Sequence, residues 1–200
     1  FERAERAGHE SFAVGFAGYA HSGFTKATLR GAQFVPATTA AARIEAAYDL
    51  ARAHPGSLVY CYLPEVDKAG HKHGVASAEW VAALEDVDAA LSARVPPGVG
   101  VLVTSDHGMV DVPGSRQAVL DEEHLDGIRH IGGEPRMLHA YLEPDADAAA
   151  VVARCRSDLD GIADVVTRDE AVRAGLFGPT VTAAAESRIG DVLAVARGAW

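Results

Sequence analysis

Two kinds of apolar pattern alternate along the first half of the chain. Residues 38–53 combine a helix-forming composition with apolar side chains at helical spacing, and residues 77–94 repeat this pattern more strongly. The runs 57–63 (SLVYCYL) and 99–104 (VGVLVT) are short, apolar and rich in β-forming residues, which predicts two buried strands. In the first helix, the apolar residues with helical spacing are Ala42, Ala46, Leu50 and Ala53, which indicates one apolar side.

The order helix, strand, helix, strand predicts an α/β fold. Strands that are apolar on both faces are typical of a mostly parallel sheet with helices on both faces. In such sheets, ligands bind beyond the carboxyl ends of the strands. Polar residues that directly follow the two apolar runs are therefore the first candidates for a functional site.

The pattern changes after Gly114, where shorter segments follow one another. A predicted helix at 145–158 lies between predicted strands at 136–142 and 161–167, which indicates a small α+β insertion or subdomain on the main sheet. A last apolar run, 188–196, predicts a strand that returns to the core. The predicted organisation is an α/β core at 1–110, an insertion at 111–185 and a return strand within 186–200.

Two pairs of Asp and His follow the two apolar runs. Asp67 and His71 are four residues apart, so a helical turn would place a carboxylate and an imidazole on one face. Asp106 and His107 are adjacent where the chain leaves the second run. A carboxylate with an imidazole is a good half-site for zinc. A single Asp or His at a strand end is usually a cap or turn residue, so the repetition of the pair is what predicts a shared metal site.

The net charge of the chain disfavours one class of binding partner, nucleic acids. The formal net charge is -10, whereas nucleic-acid binding requires a basic surface, so we expect no stable nucleic-acid binding. A small anionic substrate is compatible with this charge, because bound metal ions supply positive charge locally. No membrane segment or signal peptide is visible, which favours the cytoplasm, but the chain begins at Phe1 and the compartment stays open.

The two clusters resemble known motifs. The segment DKAGHKHG, residues 67–74, resembles the D-x-x-G-H-x-x-G motif of the nucleotide pyrophosphatase/phosphodiesterase family, a branch of the alkaline phosphatase superfamily. The segment TSDHGM, residues 104–109, resembles the S-D-H-G-M motif of the same family, and order and spacing agree. The resemblance is firm over residues 57–111 and implies an incomplete alkaline phosphatase-like core with phosphodiester or nucleotide pyrophosphate hydrolysis as the activity.

The resemblance also implies a cofactor and its ligands. Family members hold two zinc ions, although other divalent metals are conceivable here. Asp67 and His71 would bind one ion, and Asp106 and His107 the other. His73 falls where the motif has no ligand and is interpreted as a rim residue. The expected substrate is a small phosphate ester or nucleotide.

Two family elements have no clear counterpart in this sequence. The catalytic nucleophile, a Thr or Ser at a helix N-terminus, is expected upstream of this chain, because Ser22 and Thr25 do not read as a strand–turn–helix. The third zinc-binding histidine is also missing, and His139 is the internal candidate for it. Arg136 is a candidate for contacting phosphate or a structural partner of Glu134. We therefore expect truncation at both ends and little activity of this chain alone.

Other functions remain open from the sequence. A phosphatase, a phosphonate hydrolase or a mutase of the same superfamily could share these metal motifs. The chain could also be a non-catalytic metal-binding or structural domain. The metal content of the purified protein separates this last alternative from the enzymes.

Overall fold

The computed structural model describes residues 1–122 and 124–200, and Glu123 lies outside this description. The described chain is mixed α/β and divides into two compact units, residues 1–110 and 111–200. The strands of the first unit are β1 (Ser11–Gly15), β2 (Gln33–Pro36) and β3 (Leu58–Cys61). Its helices are α1 (Glu2–Arg6), a 3-10 turn (Ala17–Tyr19), α2 (Gly23–Thr28), α3 (Ala40–Ala53), α4 (Glu65–His73) and α5 (Ala78–Leu91).

The first unit is built on a three-stranded parallel sheet in the order β2-β1-β3. The central strand is SFAVG, and all five of its residues are buried. A strand that is apolar on both faces is typical of the middle of a parallel sheet. In the register with β3, Phe12 pairs with Val59 and Val14 with Cys61. The parallel sheet agrees with the fold predicted for this part of the chain.

Helix α3 packs on this sheet with a different side from the one its spacing predicted. The helix is capped by Thr39, whose hydroxyl accepts a hydrogen bond from the Ala42 backbone N–H at 3.1 Å. Its buried residues are Arg43, Ile44 and Ala47, whereas the residues of the predicted apolar side are only partly buried or exposed. The prediction followed the small apolar residues and could not anticipate an arginine in the buried position.

Arg43 is the most buried charged residue described in the first unit. Its side chain is 1% exposed. The guanidinium donates to the carbonyl oxygen of Thr38 at 3.0 Å and forms an ion pair with Glu65, the first residue of α4. Since a buried charge is tolerated only when it is paired and hydrogen-bonded, this contact anchors the beginning of α4 against α3.

The predicted strand at 99–104 is wrong in this structure. The segment contains no strand, and its apolar side chains are exposed, with Leu102 at 89% and Val103 at 66%. A strand requires a neighbour for its backbone hydrogen bonds. In the described chain, β3 pairs only with β1, and no strand pairs with residues 99–104. Apolar composition predicted a strand correctly only where such a neighbour is present, and even in β3 the predicted burial is incomplete, with Leu58 and Tyr60 exposed.

The second unit contains a four-stranded antiparallel sheet in the order β4-β5-β7-β6. Its strands are β4 (Ile128–Glu134), β5 (Met137–Leu142), β6 (Ala163–Thr167) and β7 (Val192–Ala196). Its helices are a 3-10 turn (Gly114–Arg116), α6 (Ala148–Asp158), α7 (Arg168–Arg173) and α8 (Ala183–Glu186). The sequence predicted β5, α6 and β6 but not β4, so the mostly parallel arrangement applies to the first unit alone.

The sequence predicted that residues 186–200 return to the core, whereas in the structure their strand, β7, belongs to the second sheet. It lies between β5 and β6 in the second sheet, with Leu193 opposite His139 and Val166. Leu193 is fully buried, and Val192 is 2% exposed. Because both edges of β7 are paired within the second unit, these residues extend that unit instead of the parallel sheet. No helix in the described residues is both long enough and apolar enough to cross a bilayer.

We expect Arg43→Met to destabilise the first unit by about 3 kcal/mol or more, because it leaves Glu65 without its buried partner. Urea unfolding followed by Trp80 fluorescence, in a Trp200→Phe background, measures this loss. The matched control is Arg52→Met, which removes an exposed pair with Asp49 at 2.7 Å and should cost less than about 1 kcal/mol. Equal losses in the two variants would contradict the anchoring role of Arg43.

Candidate functional site

The first cluster lies on a helix that starts just beyond the carboxyl end of β3. Helix α4 follows Cys61 after three residues and begins at Glu65. Its first turn carries Glu65 and Asp67, and its last turn carries His71, Lys72 and His73. Acidic residues near the N-terminus and basic residues near the C-terminus are favourable for the helix dipole. The helical turn that the four-residue spacing required is therefore present.

Asp67 and His71 face each other on α4. Asp67 Oδ1 lies 3.4 Å from His71 Nε2. This oxygen is shielded from solvent and accepts no hydrogen bond from the described residues. Two ligands about 2.0–2.1 Å from a tetrahedral zinc lie roughly 3.4 Å apart. An enclosed oxygen without a donor, at this distance from an imidazole nitrogen, fits one half of a zinc site.

Asp106 and His107 form a looser pair in the segment after residues 99–104. His107 Nε2 lies 3.8 Å from Asp106 Oδ1, which also accepts from the His107 backbone N–H at 3.2 Å. His107 Nδ1 is 2.7 Å from the Gly108 carbonyl oxygen. Because a carbonyl only accepts, Nδ1 donates this hydrogen bond, and in the neutral form of the ring Nε2 would carry the lone pair. That tautomer suits metal ligation through Nε2. The Asp106 side chain is 84% exposed.

Met109 brings the second cluster against the first. A Cβ built on Gly70 would lie 2.1 Å from Met109 Sδ and 3.2 Å from the Trp80 ring. Gly70 is buried in the middle of α4, between Asp67 and His71. The absence of a side chain at this position allows the thioether to pack directly on the helix backbone. The two predicted clusters therefore meet through a close contact that only glycine permits.

Tyr62 lies within the electrostatic reach of both carboxylates. Burial raises the pKa of the Tyr62 phenol, and the charges of Asp67 and Asp106 raise this pKa further. Burial likewise raises the pKa of Tyr60, with Asp106 as the next contributor. Both phenols therefore keep their protons at alkaline pH and remain hydrogen-bond donors. Burial also raises the pKa of the Cys61 thiol to about 11, so Cys61 is not a thiolate nucleophile at neutral pH.

The two pairs do not form a complete metal centre in this geometry. Among the described residues, no group of three His, Cys, Asp or Glu side chains is arranged to hold a metal ion. Each pair supplies two ligands, whereas zinc usually has three or four protein ligands. The donor types and the Asp67–His71 distance fit zinc. However, only two ligands converge at each position, so each pair forms half of a zinc site.

The other predicted site residues have structural contacts. His139 lies in β5, and its Nδ1 accepts a hydrogen bond from the Gly190 N–H at 3.1 Å. Arg136 donates to the carbonyl oxygens of Gly198, at 2.9 Å, and of Trp200. Both residues belong to the second unit. These backbone contacts give each side chain a role within its own unit, and for Arg136 they replace the predicted pairing with Glu134.

The hydroxyls of Ser22 and Thr25 lie in a context that the sequence did not predict. Strand β1, the 3-10 turn and helix α2 follow one another, and Ser22 caps α2. Ser22 Oγ accepts from the Thr25 N–H at 3.1 Å and donates to Thr25 Oγ1 at 3.0 Å. Both hydroxyls are thus engaged with each other in capping a six-residue helix.

Sequence reasoning missed four residues around the clusters. Met109 lies within the TSDHGM motif, but its contact with Gly70 is not visible in the spacing. Tyr62 directly follows the strand, which is the signal that could have identified it. Nothing in the sequence pairs Arg43 with Glu65, because the two residues are 22 positions apart. These residues shape the clusters without belonging to either predicted Asp/His pair.

Comparison with known proteins agrees with the two motifs. A search of curated proteins finds no match to the chain. The family model for type I phosphodiesterase / nucleotide pyrophosphatase matches residues 4–200, nearly the whole chain. A match of this extent includes both clusters and both units. The chain therefore belongs to the type I phosphodiesterase/nucleotide pyrophosphatase family.

Proposed function

We propose that this protein is a zinc-dependent hydrolase of phosphodiester or nucleotide pyrophosphate bonds, with Asp67, His71, Asp106 and His107 as metal ligands. The family membership supports phosphodiester hydrolysis. The observation that carries the zinc assignment is the enclosed Asp67 Oδ1, which has no hydrogen-bond donor and lies 3.4 Å from His71 Nε2. Asp106 and His107 are the corresponding pair on the segment that Met109 holds against α4.

Each side chain has a defined role in this proposal. Asp67 and His71 hold one ion, and Asp106 with His107 Nε2 holds the other. Bound zinc would supply a Lewis acid that polarises the phosphoryl oxygens and stabilises the leaving oxygen. In this proposal the Tyr62 phenol, whose pKa is raised by burial, donates a hydrogen bond to a phosphate oxygen. The attacking hydroxyl is not assigned to any residue described here.

The first test is metal-dependent hydrolysis by the full-length protein loaded with zinc. We expect cleavage of bis(p-nitrophenyl) phosphate that a chelator abolishes, and a loss of about 100-fold or more in His71→Ala and His107→Ala. Zinc content, measured by mass spectrometry, should fall in parallel. These two variants remove one ligand from each half-site, so a loss in only one of them would assign catalysis to a single pair.

His73→Ala is the matched control, because it removes an imidazole two residues from His71. His73 Nδ1 lies 3.9 Å from the Glu79 carboxylate, and His73 belongs to neither of the proposed ligand pairs. Activity of His73→Ala should stay within about twofold of wild type. Preference for p-nitrophenyl phosphate would move the protein to a phosphatase-like activity, and wild-type protein without bound zinc would refute the metal site.

Gly70→Ala should reduce activity by about tenfold while changing stability little. The added methyl group would lie 2.1 Å from Met109 Sδ, so the flexible thioether must move and carry the Asp106–His107 segment with it. Steady-state kinetics and urea unfolding of the variant separate these two effects. The expected loss depends on Met109, so Gly70→Ala combined with Met109→Ala should recover part of the activity.

The control for Gly70→Ala is Gly23→Ala, another glycine in a helix of the first unit. A Cβ at Gly23 meets no atom within 4 Å, and the substitution should be neutral or slightly stabilising, by at most about 1 kcal/mol. Wild-type activity in Gly70→Ala would show that the Met109 contact does not position the second pair.

A further inference from the structure

Lys68 lies on α4 next to Asp67 but points toward a different group of residues. Its Nζ is 5.9 Å from the centroid of the Phe16 ring and 5.5 Å from that of Tyr19. These separations are within the range of cation–π contacts. Phe16 and Tyr19 follow the carboxyl end of β1, the strand next to β3. The ammonium group is therefore held at the carboxyl side of the parallel sheet, where ligands bind in such folds.

The charge of Lys68 is not neutralised by a carboxylate. No Asp or Glu oxygen of the described residues lies within 4.0 Å of Lys68 Nζ, unlike the buried guanidinium of Arg43, which is paired with Glu65. Aromatic faces attract a cation without removing its charge. In a chain with a net charge of -10, an unpaired cation at this edge of the sheet is available to an anionic ligand.

The rings that hold Lys68 continue toward the proposed metal ligands. Tyr19 and Tyr62 have ring centroids 6.3 Å apart. Besides burial, the charges of Asp67 and Asp106 raise the pKa of the Tyr62 phenol. Tyr62 therefore lies close to Tyr19 and within the electrostatic range of both carboxylates. Since Lys68 directly follows Asp67 on α4, a substrate whose phosphoryl group is bound by ions at Asp67 and Asp106 can extend toward Lys68.

We propose that Lys68 is a specificity-determining residue that contacts a negatively charged oxygen of the substrate outside the group being cleaved. This inference rests on the proposed function. It assigns to Lys68 a preference for pyrophosphate-type substrates, which carry additional charge next to the scissile phosphorus, over singly charged diesters. Phe16 and Tyr19 act as positioning residues, because they restrain the lysine side chain but carry no charge themselves.

Kinetics of the zinc-loaded full-length protein test this preference with two substrates. In Lys68→Gln, KM for a nucleoside triphosphate should rise about tenfold with little change in kcat, since charge-assisted contacts are among the stronger hydrogen bonds. KM for the singly charged bis(p-nitrophenyl) phosphate should change less than about threefold. Lys68→Arg keeps the charge and should restore most of the discrimination.

Lys72→Gln is the matched control, because it removes the same charge from the same helix one turn later. KM for the triphosphate should stay within about twofold of wild type in this variant. Combining Phe16→Leu with Tyr19→Leu should give an intermediate rise in KM, since the charge remains but its position is no longer held. Equal effects of Lys68→Gln and Lys72→Gln would overturn the inference in favour of a general charge effect.

Calorimetric titration of methylenediphosphonate, a pyrophosphate analogue that is not hydrolysed, gives a measurement that does not depend on turnover. Its Kd should rise about tenfold in Lys68→Gln and remain unchanged in Lys72→Gln, whereas the Kd for inorganic phosphate, which has no second phosphoryl group, should change less than about threefold in both variants. Unchanged methylenediphosphonate binding in Lys68→Gln, together with unchanged KM, would refute the role of Lys68 even if hydrolysis is zinc-dependent. Absence of zinc-dependent hydrolysis in wild type would refute the proposed function, while the methylenediphosphonate titration would still decide the role of Lys68.

Discussion

The buried ion pair between Arg43 and Glu65 determines where the candidate site lies. Helix α3 packs on the parallel sheet, and Arg43 is 1% exposed within that interface. Because removing Glu65 would leave the buried guanidinium without its charged partner, the first residue of α4 is held at one place against α3. Asp67 is two residues further on and His71 six, so their positions beyond β3 follow from this anchor and from the helical geometry between them.

Local signals in the sequence were sufficient wherever an element is defined by its own residues. Ser77 caps α5 and accepts a hydrogen bond from the Trp80 N–H at 3.1 Å, as the sequence predicted. The apolar run around Val59 forms β3, because β1 is present to pair with it. Residues 99–104 have a similar composition, but no described strand pairs with them, and they remain exposed. Composition records a tendency to form strands, whereas the pairing depends on residues distant in sequence.

At the candidate site, too, local geometry could be predicted from the sequence, whereas contacts between distant residues could not. The spacing of Asp67 and His71 predicted a shared helix face, and their 3.4 Å separation on α4 confirms that geometry. Whether the two pairs join into one metal centre is a property of tertiary packing, and the structure connects them through Met109 on Gly70. No periodicity could have shown this contact, since it depends on a missing side chain at one position and a flexible one 39 residues later. Metal ligation by these residues stays a prediction.

The two halves of the proposed zinc site differ in how far they are formed without an ion. Asp67 Oδ1 is already shielded beside His71 on a regular helix, so an ion bound there finds both side chains on an ordered backbone, with the His71 imidazole 72% exposed. Asp106 is 84% exposed on a segment outside any helix or strand, so no regular element fixes the position of this pair. The free energy needed to order a site reduces the free energy of metal binding to it. The second pair should therefore bind zinc more weakly than the first. The contact of Met109 with α4 reduces that difference, since it limits the conformations of the segment before any ion binds.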